Sequence, residues 1–315
     1  MTSRILYIGG EGRSGTTLLD QILGQIPGVT GTGELFAIWE RGVIDDDLCG
    51  CGEAFSACPV WTAVGRTAFG GWSVEEARHM GEIRRSLVRD RYAPWLIRND
   101  SWPTAPQQGD YFLAGLDRLY RASAATTGSE VIGDSSKYAG YAMVLSRLPD
   151  VDLRVVQLVR DARGAAFSLT KLVRKPEVAA ATTTMDRYPP AVTAARWVKT
   201  DALFLALRAR RVPLLTIRYE DLIDDPGAVV RRVADFADLP SGPGLFDMLG
   251  SSSVDLAPTH TVAGNPSRFR TGTVELALDE RWRSGLGPFE RGVVSGIAAP
   301  GLLRHGYVGP RRNHR

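Results

Sequence analysis

A glycine-rich stretch at residues 10–17, with the sequence Gly-Glu-Gly-Arg-Ser-Gly-Thr-Thr, carries residue types that bind anions. It nearly matches the nucleotide-hydrolase loop GxxxxGK[ST], but Thr16 takes the place of the lysine and the positive charge lies upstream at Arg13. A nucleoside triphosphatase needs that lysine on the β- and γ-phosphates of its substrate. We therefore expect a site for a terminal 5′-phosphate rather than for a metal-bound triphosphate. The candidate contacts are Arg13, Ser14, Gly15, Thr16 and Thr17.

A second candidate anion site lies at residues 155–168, where an apolar run ends in Arg160 and Ser168 follows eight residues later. Open α/β sheets bind ligands at the carboxyl ends of their strands, and a serine two turns into the next helix can face the same phosphate. The residues alone leave a second interpretation open, in which Arg160 forms a structural ion pair with Asp161.

Alternating strand and helix patterns must position these residues. Each apolar strand pattern is followed by a helical one, which predicts an α/β fold with a central parallel β-sheet flanked by helices. The predicted strands are 4–8, 131–133, 153–159 and 213–218, and the predicted helices are 15–24, 138–147, 161–174, 182–211 and 227–237.

A helical insertion at about 73–128 interrupts this alternation, with helical patterns at 73–98 and 110–126. Such a segment is a place where substrate specificity can arise, and we expect it on the acceptor side. Its aromatic residues either line an acceptor site or belong to the core. They are Trp72, Trp95, Trp102, Tyr111 and Phe112.

Composition excludes several classes of protein. The chain has 315 residues, 44% of them hydrophobic and 23% charged, and its net charge of +3 gives no reason to expect nucleic-acid binding. We expect a single domain over 1–315. No apolar run of about 18 residues and no signal-peptide pattern is present, so we expect a cytoplasmic protein without a membrane span. The sequence leaves the assembly state open, with a homodimer as one alternative. Residues 309–315 form a basic tail.

Three cysteines, Cys49, Cys51 and Cys58, lie close together in a C-x-C-x₆-C arrangement. No histidine is near them in the sequence and there is no fourth cysteine, so a closed tetrahedral zinc site lacks a ligand. The sequence therefore predicts no metal. A disulfide between Cys51 and Cys58, or free buried thiols, is expected instead.

The two anion motifs resemble those of one enzyme family. Gly-Arg-Ser-Gly-Thr-Thr-Leu-Leu at 12–19 resembles the 5′-phosphosulfate loop of sulfotransferases that use 3′-phosphoadenosine 5′-phosphosulfate (PAPS), and 155–168 resembles their 3′-phosphate segment. Four shorter motifs are similar to the branch that contains tyrosylprotein and many bacterial sulfotransferases. They are Thr-Gly-Glu at 32–34, Asp-Ser-Ser-Lys at 134–137, Arg-Tyr-Glu-Asp-Leu at 218–222 and Gly-Asn-Pro-Ser-Arg at 264–268.

The resemblance implies a P-loop-like sulfotransferase fold and transfer of a sulfuryl group from PAPS to a hydroxyl, with an amine as the less favoured acceptor. The acceptor is a small molecule, a lipid or a carbohydrate, the product nucleotide is 3′-phosphoadenosine 5′-phosphate (PAP), and no metal is required. Glu34 is the expected base, and Lys137 and Arg13 are the expected cations. Besides the loop and Arg160 with Ser168, the expected nucleotide contacts are Tyr219, Asn265 and Arg268.

Alternatives remain at this point. Glu34 can instead cap a helix that begins near Leu35, and His260 competes for the role of base, since other sulfotransferase branches use histidine. Lys137 can be a solvated residue at a helix start. For the whole chain, the alternatives are a P-loop nucleotide kinase or hydrolase and a non-catalytic nucleotide-binding module.

Overall fold

A sheet of five parallel strands lies at the centre of the protein, for which a computed structural model describes residues 3–99, 101–171, 186–240, 242 and 244–308. The strands are β1 (Ser3–Gly9), β2 (Val29–Gly31), β3 (Val131–Lys137), β4 (Val151–Val159) and β5 (Leu214–Arg218). Their order is β2-β3-β1-β4-β5, and all neighbouring pairs are parallel. Strand β1 therefore lies between β3 and β4, where the strand order reverses and open α/β sheets bind ligands.

Helices connect these strands and cover the sheet. In chain order they are α1 (Thr16–Leu23), α2 (Pro59–Phe69), α3 (Val74–Leu87), α4 (Ala93–Arg98), α5 (Pro106–Thr127), α6 (Ala139–Leu145), α7 (Ala162–Thr170), α8 (Pro190–Leu207), α9 (Tyr219–Asp224), α10 (Pro226–Phe236), α11 (Trp282–Gly285) and α12 (Pro288–Arg304). Two further strands, β6 (Ser253–Leu256) and β7 (Gly272–Glu275), form an antiparallel pair.

Both faces of the sheet are buried. Along β1, Ile5 and Tyr7 belong to one apolar cluster, together with residues of α5, α6 and α8, whereas Leu6 and Ile8 belong to a second cluster with α1 and α10. Successive side chains of a strand point to opposite faces, so this division shows a helical layer on each side. The predicted fold class, a central parallel sheet flanked by helices, is confirmed.

The main difference from the predicted elements is the length of β3. The sequence predicts a strand at 131–133, but β3 continues to Lys137. The polar residues Asp134, Ser135 and Ser136 are at most 1% exposed, so polarity does not end the strand. Hydrogen bonds satisfy them inside the protein, because Ser136 donates to Asp134 and the amide of Ser135 donates to the carbonyl of Gly33 at 2.7 Å.

The predicted insertion is helical, as expected, and consists of α3, α4 and α5 with a short 3₁₀ turn at Asp90–Tyr92. The ends of the predicted helices 161–174 and 182–211 overlap residues 172–185, and the basic tail is 309–315; these parts lie outside the described residues. In the part of the chain that the structure describes, no helix is both long enough and apolar enough to cross a bilayer.

Candidate active site

A cavity of about 770 Å³ opens at the carboxyl ends of the parallel strands. Its volume lies in the range of small-molecule sites. Residues from the turns after β1, β3, β4 and β5 line it, which is why motifs far apart in the sequence meet there. The predicted site residues that line it are Arg13, Gly15, Thr16, Thr17, Glu34, Lys137, Arg160, Ser168, Tyr219 and Asn265.

The loop after β1 has a backbone that two of its glycines make possible. Gly10 has φ 147°, and a Cβ there would lie 2.3 Å from the carbonyl oxygen of Leu158. Gly15 has φ 91°, and a Cβ there would lie 2.6 Å from the ring of Tyr219. Helix α1 begins at the next residue, so its positive end points to the cavity as an anion site requires.

Ser14 does not take the predicted place. Its side chain is only 2% exposed, and its hydroxyl donates to the carbonyl of Glu11 at 2.7 Å. The Ser14 hydroxyl therefore stabilises the turn of the loop from its buried side, whereas Thr16 and Thr17 line the cavity.

Two guanidinium groups meet beside this loop. Arg160 donates from Nη1 to the carbonyl of Arg13 at 3.1 Å. Among the described residues, Nε and Nη2 of Arg13 are buried and have no hydrogen-bond partner. Burial and the positive charge of Arg160 lower the pKa of Arg13. Donors without acceptors and two adjacent positive charges make this place suitable for a bound anion.

Arg160 does not pair with Asp161, so the ion pair suggested by the sequence is not observed. Asp161 instead accepts two hydrogen bonds from the Arg163 guanidinium, at 2.9 and 2.7 Å. Arg160 stacks over Tyr219, with 4.8 Å from its Cζ to the ring centroid, and lies 3.8 Å from the carboxylate of Asp279. Ser168, on α7, lines the same cavity.

Glu34 and Lys137 form an ion pair at the cavity wall, with side chains 18% and 19% exposed. Glu34 precedes the 3₁₀ turn Leu35–Ala37, yet its side chain makes no capping hydrogen bond, so the capping alternative is not observed. Lys137 ends β3 with φ 73° and is not a solvated residue of a helix start. The structure thus brings the expected base and one expected cation into contact beside the loop at 10–17.

Asp20 supports Glu34 from behind and was not predicted. Its buried carboxylate accepts the amide of Gly33 at 3.0 Å. The absence of side chains at Gly31 and Gly133 makes room for it, because a Cβ at either position would lie 3.3 or 3.2 Å from Asp20 Oδ1. Burial, followed by the nearby Asp134, raises the pKa of Asp20 well above its usual value. Asp20 is a positioning residue for the turn that carries Glu34.

Asp134 anchors the other side of this turn. Its carboxylate accepts hydrogen bonds from Tyr120 and from the backbone and hydroxyl of Ser136. The Ser136 hydroxyl in turn accepts the amide of Phe36 at 2.9 Å, two residues after Glu34. The signal in the sequence is an Asp-Ser-Ser run inside an otherwise apolar strand.

Replacement of Asp134 by asparagine is expected to change how stability depends on pH. Burial raises the pKa of Asp134 from 3.8 to about 6, so the folded protein binds the proton more tightly than the unfolded chain does. The free energy of unfolding should therefore fall as the pH rises from about 4 to 6, by up to about 3 kcal/mol from this group. Asp134→Asn should remove this part of the pH dependence in urea titrations.

The matched control for this experiment is Asp235→Asn, because Asp235 is an exposed aspartate on α10. It should leave the pH dependence unchanged. An unaltered slope between pH 4 and 6 in Asp134→Asn would show that Asp134 does not titrate in this range.

An aromatic surface borders the Glu34–Lys137 pair. The rings of Phe36 and Tyr138 are 4.6 Å apart, and the Arg84 guanidinium lies 3.9 Å above Phe36. Glu40 holds Arg84 with a 2.6 Å ion pair. These four side chains line the cavity, and one of them, Arg84, comes from α3 of the insertion.

The aromatic residues singled out in and next to the insertion lie elsewhere. Trp102 and Phe112 are buried in the core, and Trp72 packs against it and donates to the carbonyl of Trp61 at 2.8 Å. The remaining two are at the surface, Trp95 45% and Tyr111 41% exposed. The aromatic residues on this side of the cavity instead follow Glu34 and Lys137 in the sequence.

Arg268 was predicted as a nucleotide contact, and the structure places it differently. It is 1% exposed and donates to the carbonyl of Leu48 at 2.8 Å. The 3₁₀ turn Pro266–Phe269 directs it inward, whereas Arg270 lines the cavity. His260 does not line the cavity either; its Nδ1 lies 3.2 Å from the sulfur of Cys58.

Comparison with known proteins agrees with this geometry. The family model described as the sulfotransferase domain matches residues 136–271, which include Lys137, Arg160, Ser168, Tyr219 and Asn265. Comparison with curated protein sequences gives no match.

Solved structures show the same fold. The sulfotransferase domain from the Synechococcus PCC 7002 olefin synthase is 19% identical with a TM-score of 0.55, and the alignment covers 98% of this chain and 96% of that chain. The sulfotransferase domain from the curacin biosynthetic pathway is 16% identical with a TM-score of 0.51, covering 98% of this chain and 99% of that chain. The chain is thus similar to sulfotransferases in the matched segment 136–271 and in its fold.

Proposed function

We propose that this protein is a sulfotransferase that moves a sulfuryl group from PAPS to the hydroxyl of a small-molecule, lipid or carbohydrate acceptor. One observation carries the proposal: two groups of candidate anion-binding residues line a single cavity together with the Glu34–Lys137 pair. A nucleotide with phosphate groups on both its 3′ and 5′ positions needs two such sites.

The loop and α1 would hold the 5′-phosphosulfate through Arg13, Thr16 and Thr17. Arg160 and Ser168 would hold the 3′-phosphate. Charge-assisted hydrogen bonds from guanidinium groups are among the strongest that a protein offers to phosphate. Tyr219 supports both sites, because its ring contacts Gly15 of the loop on one side and Arg160 on the other.

Sulfuryl transfer resembles phosphoryl transfer, in which positioning and stabilisation of charge supply most of the catalysis. The donor nucleotide supplies the activated sulfuryl group. Glu34 would accept the proton of the acceptor hydroxyl, while the ammonium group of Lys137 stabilises negative charge on the leaving oxygen. The two side chains contact each other at the cavity wall, so both are close to the place where the acceptor would bind.

The acceptor would enter beside Phe36 and Tyr138. Tyr138 is 48% exposed and contacts Phe36, so the two rings offer an apolar surface next to the base. Turnover on a panel of phenols, alkyl alcohols and sugars, detected by mass spectrometry as gain of SO₃, tests the proposal. Absence of any product despite tight PAP binding would favour the non-catalytic nucleotide-binding module.

Transfer is expected to proceed equally well with and without added Mg²⁺. Thr16 stands where a triphosphatase has its phosphate-binding lysine, and Arg13 supplies the positive charge instead. Initial rates at saturating PAPS, measured with no added divalent cation and with excess Mg²⁺, should agree within about twofold.

Calorimetry provides the control for the kinase or hydrolase alternative. PAP should bind tightly without Mg²⁺, and ATP with Mg²⁺ should bind weakly. Strict dependence on Mg²⁺ together with tight ATP binding would overturn the proposed donor.

A further inference from the structure

The three cysteines meet His260 in the folded protein. The sulfurs of Cys49, Cys51 and Cys58 and a ring nitrogen of His260 all lie within 4.8 Å of one another. Nδ1 of His260 is 3.2 Å from the Cys58 sulfur and 3.9 Å from the Cys49 sulfur, and the sulfurs of Cys51 and Cys58 are 3.9 Å apart. The ligand that the local sequence lacks thus comes from 202 positions further along the chain.

The three shortest separations, 3.2, 3.9 and 3.9 Å, are close to those of a tetrahedral zinc site. With Zn–S bonds of about 2.3 Å and a Zn–N bond of about 2.0 Å, neighbouring ligand atoms lie roughly 3.5–3.8 Å apart. A disulfide requires sulfurs about 2.05 Å apart, and all three cysteines are free. Cys49 and Cys58 are at most 1% exposed, so the cluster is largely closed to solvent.

The backbone around the cysteines forms a tight turn that presents the sulfurs to one point. The amide of Cys49 donates to the carbonyl of Glu53, and the amide of Gly52 donates to the carbonyl of Cys49, both at 2.8 Å. Gly50 allows the turn to approach the segment that carries His260, because a Cβ there would lie 2.3 Å from the hydroxyl of Thr261. Cys58 immediately precedes α2.

We propose that Cys49, Cys51, Cys58 and His260 bind one Zn²⁺ ion in a structural site. Three thiolates and an imidazole are one of the ligand sets of closed structural zinc sites. Because four protein ligands fill the coordination sphere, the ion has no open position for a substrate and takes no part in the transfer step.

The site would hold the backbone next to the expected base. Val262, two residues after His260, donates from its amide to the carbonyl of Thr32 and accepts the amide of Glu34, both at 2.8 Å. Arg268 adds a second link, from the late loop to the carbonyl of Leu48. Zinc would therefore connect the segment 48–58 to the segment 260–262, whose backbone binds that of Glu34.

Metal content of the reduced, full-length protein tests this proposal. Protein purified without chelators should contain about one zinc ion per chain by plasma mass spectrometry. Cys58→Ser and His260→Ala should reduce this to below about 0.1 and lower the melting temperature by about 5 °C or more. His260→Cys should retain the metal, because four cysteines also form a zinc site. The control is His79→Ala, an exposed histidine on α3, which should keep full zinc content.

The measurement on the unaltered protein keeps the test valid where a variant fails to fold. Co²⁺ added to metal-free protein should give the visible thiolate-to-metal absorption of a tetrahedral site. The proposal is overturned if reduced protein incubated with zinc retains less than about 0.1 ion per chain. It is also overturned if zinc persists in both Cys58→Ser and His260→Ala, or if intact mass shows a native Cys51–Cys58 disulfide. None of these readouts uses PAPS or an acceptor, so they are independent of the proposed transferase activity.

Discussion

Glu34→Gln is expected to lower kcat by about 10²-fold or more while the affinity for PAP changes little. Glutamine keeps the shape of the side chain and can still accept a hydrogen bond from Lys137, but it cannot take a proton from the acceptor. A group that acts in the transition state affects turnover without affecting binding of the product nucleotide. Steady-state kinetics with a responsive acceptor, together with calorimetry of PAP, measures both quantities.

The matched control is Glu275→Gln, which removes the same charge from an exposed residue of the same cavity. It should leave kcat within about twofold of the unaltered protein. Near-normal turnover of Glu34→Gln at neutral pH would assign proton removal to another group or to ionisation of the acceptor itself. His260 is then a poor candidate, since its ring faces the cysteine sulfurs rather than the cavity.

A variant of the other partner distinguishes a structural role of the Glu34–Lys137 pair from a catalytic one. Lys137→Met removes the cation and leaves Glu34 without its partner. If the pair only supports the fold, Glu34→Gln and Lys137→Met should each lower the melting temperature and leave kcat of the folded fraction intact. If the pair acts in transfer, each variant should lower kcat, and the double variant should lose less than the product of the two losses, because the residues act as a unit.

The fold was largely predictable because its strands are buried on both faces. The apolar runs that coincide with β1, β4 and β5 are short and continuous, and a helical pattern follows each of them in the sequence. Strand β2, Val29–Gly31, lies at the edge of the sheet. Its three residues are too few for a periodic pattern to indicate a strand. The end of β3 was missed because several partners of its polar residues, such as Gly33 and Phe36, are about 100 positions away in the sequence.

The site was predictable where a motif fixes both a residue and its backbone. The glycine positions predicted the loop at 10–17. The end of the predicted strand 153–159 placed Arg160 at the ligand-binding edge of the sheet. Side-chain direction in less regular turns was not predictable, which explains why Arg268 points inward and Arg270 faces the cavity. The buried position of Asp20 on α1 depends on the missing side chains of Gly31 and Gly133, which lie in β2 and β3. A local sequence pattern does not indicate such a long-range contact.

Arg160→Ala and Ser168→Ala are expected to weaken PAP binding about ten- to a hundredfold, while binding of AMP hardly changes. Losing a charge-assisted hydrogen bond to phosphate costs roughly 1.5–3 kcal/mol of binding free energy. AMP has no 3′-phosphate, so the substitutions remove no contact from it. The proposed 3′-phosphate site therefore predicts a selective loss. Calorimetric titration of each variant with both nucleotides measures the selectivity directly.

A structural role for Arg160 predicts a different pattern. Its backbone carbonyl accepts from Trp197 at 2.9 Å and its guanidinium donates to the carbonyl of Arg13, so it also links the end of β4 to the loop at 10–17. If that link is its main contribution, Arg160→Ala should weaken both nucleotides equally and lower the melting temperature. Arg281→Ala is the charge control, because Arg281 is a 75% exposed arginine that pairs with the same Asp279. It should leave both affinities unchanged, and an equal loss for AMP in Arg160→Ala would remove the 3′-phosphate assignment.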